Sequence, residues 1–167
     1  SKKDQFRFNG KVVWNITQHL KVQGTAGAEL NWFTFEDYKA PTTPGYESGY
    51  LQNNNFRNRM YNFELLALYN NSWGNFDFNA TLEGNLYKVN NHTIVTTAKD
   101  MKIRDVVALM SFNEVSVEPY SYRKQINSIY GAVNLGWKHM LYFDATLRGD
   151  QSSTLPISNN MYIYPSF

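Results

Sequence analysis

Residues 76–86 read Phe76-Asp77-Phe78-Asn79-Ala80-Thr81-Leu82-Glu83-Gly84-Asn85-Leu86. Every second position is apolar or small, and the positions between are polar. Successive side chains of an extended strand point to opposite sides, so this segment has one apolar and one hydrophilic face. The same design recurs at 141–150, where Leu141, Phe143, Ala145, Leu147 and Gly149 oppose Tyr142, Asp144, Thr146, Arg148 and Asp150. Near the start, Phe6, Phe8, Val12, Trp14 and Ile16 oppose Arg7, Asn9, Lys11 and Asn15. From 20 to 32, Leu20, Val22, Ala26, Ala28, Leu30 and Trp32 oppose Lys21, Gln23, Thr25, Glu29 and Asn31. The pattern is blurred at 59–70, because Leu66 and Leu68 share the face of Asn62 and Glu64, and it is weaker at 126–137. Period 2 predicts an all-β chain of about six antiparallel strands and the start of a seventh.

The expected connections alternate in length. Short turns fall near 17–19, 71–75 and 138–139, and long loops near 38–57, 88–124 and 151–162. Antiparallel strands then gather the short turns at one end and the long loops at the other, as in a transmembrane β-barrel. Trp14, Trp73 and Trp137 stand beside short turns, and Trp32 lies toward a long loop with Phe33 and Phe35. Rings at both ends of apolar strand faces match the aromatic girdles of outer-membrane barrels. Two other architectures use the same alternation: a different outer-membrane barrel, such as a porin or adhesin, and a soluble carbohydrate-binding β-sandwich. Within the longest loop, Met101, Ile103, Val106, Val107 and Met110 fall near helical spacing, which fits a short amphipathic helix or an irregular apolar anchor.

Composition narrows the classes. The chain has 167 residues, 43% of them hydrophobic and 16% aromatic, which is too apolar for a disordered segment. No run of about 18 apolar residues exists, so no transmembrane helix is expected. The lack of cysteine excludes a disulfide scaffold, a cysteine-ligated zinc site and an iron–sulfur centre. A net charge of +2 argues against nucleic acid as a partner, since such binders usually carry a clustered basic face. Both ends, Ser1-Lys2-Lys3-Asp4 and Tyr164-Pro165-Ser166-Phe167, read as cuts, so an internal piece of a larger protein is expected.

Three elements then occur in order: Tyr130-Gly131, Arg148-Gly149-Asp150-Gln151-Ser152-Ser153 and Pro165-Ser166. Together they resemble the barrel of the SusC/RagA family of TonB-dependent outer-membrane transporters of Bacteroidetes. The specific match covers about a quarter of the chain, and the upstream strands fit the family in style only. The resemblance implies a Gram-negative outer-membrane barrel of 22 strands filled by a plug, of which residues 1–167 would be part of the wall. It implies import of glycans or peptides driven through TonB, a SusD-like lipoprotein over the extracellular mouth, and contact with outer-membrane lipid. The plug is not in these residues.

No catalytic constellation is legible, so no enzyme, cofactor or metal is expected. His19, His92 and His139 lie on separate expected connections, whereas a metal site needs convergence. Asp144, Arg148 and Asp150 share a strand face, where a carboxylate pair for glycoside cleavage is one reading and a hydrated lumenal face the simpler one. Asp150, Ser152 and Ser153, entering a loop, suit local backbone hydrogen bonding and a structural role. The best ligand candidates are loop aromatics: Tyr46 and Tyr50 in one loop, Tyr120 and Tyr122 in another. Tyrosine gives a large amphipathic contact at low entropic cost.

Overall fold

A computed structural model describes residues 1–104, 106–156 and 160–167. Seven strands form one open sheet in chain order: β1 (Lys2–Asn15), β2 (Leu20–Lys39), β3 (Tyr50–Trp73), β4 (Phe76–Met101), β5 (Phe112–Trp137), β6 (Leu141–Ser152) and β7 (Met161–Ser166). The expected six strands and start of a seventh are therefore present. All seven lie in a single sheet, whereas a β-sandwich needs two packed layers. Among the described residues no helix is long and apolar enough to cross a membrane, which does not bear on crossing by strands. The 12 residues of β6 extend about 40 Å at about 3.3 Å each, or about 28 Å at a tilt of about 45°, close to the ~30 Å hydrocarbon core.

Three expectations are corrected. The loops expected at 38–57 and 88–124 are much shorter, because β2 runs to Lys39, β3 starts at Tyr50, β4 runs to Met101 and β5 starts at Phe112. The connection expected at 151–162 shortens likewise between Ser152 and Met161, and its residues 157–159 lie outside the described residues. The helical spacing within 99–111 yields one 3-10 turn, Leu109–Ser111, while Met101 ends β4; Asp105 is outside the described residues. His92 lies within β4 and not on a connection. The physical reason is common to these. Where both faces of a strand are wet, alternation fades, yet backbone pairing with neighbouring strands still holds the chain extended.

The chain divides into two compact units. One comprises Arg7–Ala28, Met60–Val89 and Arg123–Phe167, and holds the three short turns. Its two faces follow from register. Ile129 pairs with Gly149, Val133 with Ala145 and Leu135 with Phe143, forming the apolar side. Ser128 pairs with Asp150, Tyr130 with Arg148 and Asn134 with Asp144, forming the hydrophilic side. Asn85 donates to Asn62 Oδ1 at 3.0 Å, which puts Asn62 on the hydrophilic face and Leu66 and Leu68 with it. That is why β3 reads as blurred, while exposed Phe63 and Leu65 remain on the apolar side. The aromatic residues gather beside the turns: Phe78 packs against Tyr69 at 5.9 Å and Trp73 at 6.0 Å, and Lys138 Nζ sits 4.9 Å over Trp137.

The turns are built by backbone chemistry. Gly74 opens the Gly74-Asn75 hairpin at φ +60°, the position that type II′ turns reserve for glycine. In the next turn Lys138 and His139 take φ +52° and +53°, with Met140 N–H donating to Trp137 C=O at 3.0 Å. A left-handed conformation costs a non-glycine residue about 1 kcal/mol or more. Lys138→Gly is therefore expected to raise stability by about 1 kcal/mol, read as a higher midpoint for heat-induced loss of the folded band on gels.

The second unit comprises Ser1–Phe6, Glu29–Arg59 and Asn90–Tyr122. Its small core is Leu51, Ala98 and Phe112, with Tyr38 and Met101 packed against it. Backbone bonds lock the connections to the strands: Met101 N–H donates to Ser48 C=O at 2.7 Å and Lys102 N–H to Ser111 C=O at 2.8 Å.

Candidate functional site

The connection 40–49 is a succession of turns. Thr43 N–H donates to Ala40 C=O, Tyr46 N–H to Thr43 C=O and Gly49 N–H to Tyr46 C=O, each at 2.8–2.9 Å. Gly45 and Gly49 take φ +83° and +81°, so both turns need glycine. This folding brings Tyr46 and Tyr50 together, with ring centroids 5.2 Å apart and planes tilted by 53°. Both ligand candidates in this loop thus form one aromatic surface, Tyr46 being 41% exposed.

Glu47 secures the turn by accepting from Gly45 N–H at 3.0 Å. That bond holds its carboxyl below the usual glutamate range. A depressed folded-state pKa supports the folded loop above the ordinary value of about 4.3, and that support is lost as pH falls through the depressed one. Protection of the Gly45 amide, its exchange relative to the intrinsic rate at each pH, is therefore expected to fall below about pH 4.3, and Glu47→Gln to flatten that dependence.

Tyr120 and Tyr122 lie on β5, not in a loop, two residues apart and so on one face. Both are about half exposed. The Tyr120 hydroxyl donates to Glu118 Oε2. Nearby, His92 Nδ1 and Ser121 Oγ are 2.9 Å apart. The three histidines do not meet: His19 bonds Asn70 C=O, His92 bonds Ser121 and His139 approaches Asp77 at 3.4 Å.

The motif residues are placed by the β5–β6–β7 register. Tyr130, Arg148 and Tyr164 occupy one row across three strands, and Ser128, Asp150 and Tyr162 the next. Arg148 Nε donates to Asp150 Oδ2 at 2.9 Å. Gly131 pairs with Leu147, and Pro165 with Leu147 from the other side, so Pro165 meets the apolar face while Ser166 pairs with Thr146. Ser153 bonds back to β5: its N–H donates to Gln125 C=O, and its Oγ accepts from Gln125 N–H at 2.8 Å. Ser152 Oγ and Thr154 Oγ1 are 2.9 Å apart. Glu83, Asn85 and Ser128 were not picked out by motif, yet together with Tyr130 and Arg148 they line a recess of about 380 Å³. The three-residue turn 138–140 pairs Tyr130 with Arg148; the turn expected at 138–139 would have paired Tyr130 with Leu147, so this register came from the structure.

Comparison with solved structures matches this arrangement. A structure of the RagAB peptide transporter aligns with TM-score 0.88 and 19% identity, over 98% of this chain and 19% of that one. The same importer in a "closed-closed" state aligns at TM-score 0.87 and 19% identity, and in an "open-open" state at 0.86 and 20%, with the same coverages. At such identity the likeness shows the fold alone, that of a β-barrel segment. The chain spans about a fifth of the length of the solved chains it matches. No family model matches the sequence, and no curated protein matches it.

Proposed function

We propose that this chain is wall and extracellular loop of a TonB-dependent outer-membrane importer of the SusC/RagA type. The observation that carries this reading is the alignment of 98% of the chain with the RagAB transporter at TM-score 0.88. The two-faced single sheet supports it physically. One face offers an apolar surface to lipid, the other a hydrated surface to a lumen, and the open edges β1 and β7 call for further strands. The remainder of the barrel and its plug supply those strands and fill that lumen. A SusD-like lipoprotein caps the mouth, TonB supplies energy through the plug, and the cargo is a glycan or peptide. The Tyr46–Tyr50 surface is the part of this chain best suited to touch cargo or lipoprotein.

The test uses the full-length protein in its native outer membrane. Uptake of labelled oligopeptides and oligosaccharides is measured with and without an uncoupler of the inner-membrane proton gradient. Energy-dependent uptake of either class is expected. Uptake that persists unchanged after uncoupling identifies a passive pore and overturns the proposal.

A further inference from the structure

The recess on the hydrophilic face of the turn-bearing unit has an unbalanced charge. Its lining includes Glu83 and Arg148. Arg148 is already engaged through Nε by Asp150 at 2.9 Å. Glu83 acts on Arg148 through space, but among the described residues it makes no hydrogen bond or contact ion pair of its own. Two carboxylates therefore stand against one guanidinium. On either side of Arg148, its strand partners are tyrosines, Tyr130 and Tyr164, and of these Tyr130 lines the recess.

We propose that this recess takes an organic cation, a primary ammonium or guanidinium group, with Glu83 as its counter-ion and Tyr130 as its aromatic wall. An incoming carboxylate would meet Glu83, at the distances where like charges repel, and would find Arg148 already paired with Asp150. A neutral group filling the recess would strip water from Glu83 and leave its charge unpaired. An ammonium or guanidinium satisfies Glu83 and gains from the phenol ring of Tyr130, since aromatic rings attract cations within about 6 Å. Asn85 and Ser128 add neutral acceptor oxygens beside it. The cation has two sources, a lysine or arginine of an imported peptide or one on the plug. The inference rests on the reading of this face as the lumen of an importer.

The experiment uses the full-length transporter, wild type and Glu83→Gln. Two measurements separate the sources: affinity for a peptide carrying lysine against the same peptide carrying norleucine, and ion conductance of the plugged barrel in a planar bilayer. If the cation belongs to cargo, wild type prefers the lysine peptide by about tenfold or more and Glu83→Gln abolishes the preference. If it belongs to the plug, Glu83→Gln raises conductance severalfold with peptide preference unchanged. A variant matching wild type in both measurements overturns the inference. A wild-type protein that neither inserts nor binds any peptide or glycan overturns instead the importer reading on which the inference rests.

Discussion

Leu82→Arg is expected to deplete the full-length protein from the outer membrane, while Thr81→Arg, one residue earlier, leaves its level nearly unchanged. Leu82 is 56% exposed in this sheet, on the face shared by Phe78, Ala80 and Leu86. In a barrel that exposure is exposure to lipid. An arginine on the lipid face costs about 2–4 kcal/mol near the bilayer midplane. Thr81 faces the other way, with Glu83 and Asn85, where water or the plug solvates a guanidinium. Its substitution is expected to cost less than about 1 kcal/mol, as for surface changes generally. The two variants add the same charge at adjacent positions, so composition and folding rate are closely matched and only the face differs. Membrane fractions probed with antibody give the readout. Equal depletion of both variants, or of neither, would show that the two faces are not lipid and lumen.

Gly49→Val is expected to unfold the 40–49 connection and separate Tyr46 from Tyr50. Two costs combine at this residue. Its φ of +81° is left-handed, which is unfavourable by about 1–2 kcal/mol for any side chain and worse for a β-branched one. A Cβ here would lie 3.0 Å from Met101 Cβ and 3.3 Å from Pro41 Cγ. Met101 Cβ cannot swing aside, because the Met101 N–H is bonded to Ser48 C=O. A combined cost of about 3 kcal/mol is expected, enough to populate an open loop. Gly45→Ala is the control: its φ is +83°, but nothing lies within 4 Å of an added Cβ, so only the dihedral cost of about 1 kcal/mol applies. Limited proteolysis of the folded protein should cut Gly49→Val rapidly between 40 and 49, and Gly45→Ala only slightly faster than wild type.

The sequence was most legible where the two strand faces meet different surroundings. Phe76 to Leu86 shows its faces directly, and Trp14, Trp73 and Trp137 mark the ends of β1, β3 and β5 at the short turns. It was least legible in the outer parts of β4 and β5, where polar residues crowd the strands and apolar alternation is confined to short runs such as Val115 and Val117. Residues 88–101 and 112–124 contain Asn90, Asn91, His92, Glu114 and Ser116, and these stretches read as loop but are strand. Their extended form is imposed by hydrogen bonding to neighbouring strands, which no local pattern records. The Tyr120–Tyr122 pair moved from loop to strand for the same reason.

By itself, then, the sequence determined the period, the two faces, the turns that need glycine at Gly45, Gly49 and Gly74, and the meander implied by alternating connections. These are local properties, set by side-chain direction and backbone sterics within a few residues. Only the tertiary structure decided what meets what. It brought the Tyr46 and Tyr50 rings together by closing consecutive turns, and it packed Leu51, Ala98 and Phe112 from three strands into one core. It also set Tyr130, Arg148 and Tyr164 in a row from positions up to 34 apart in the chain. Cross-strand register creates these contacts, and a one-residue slip would send each of those side chains to the opposite face.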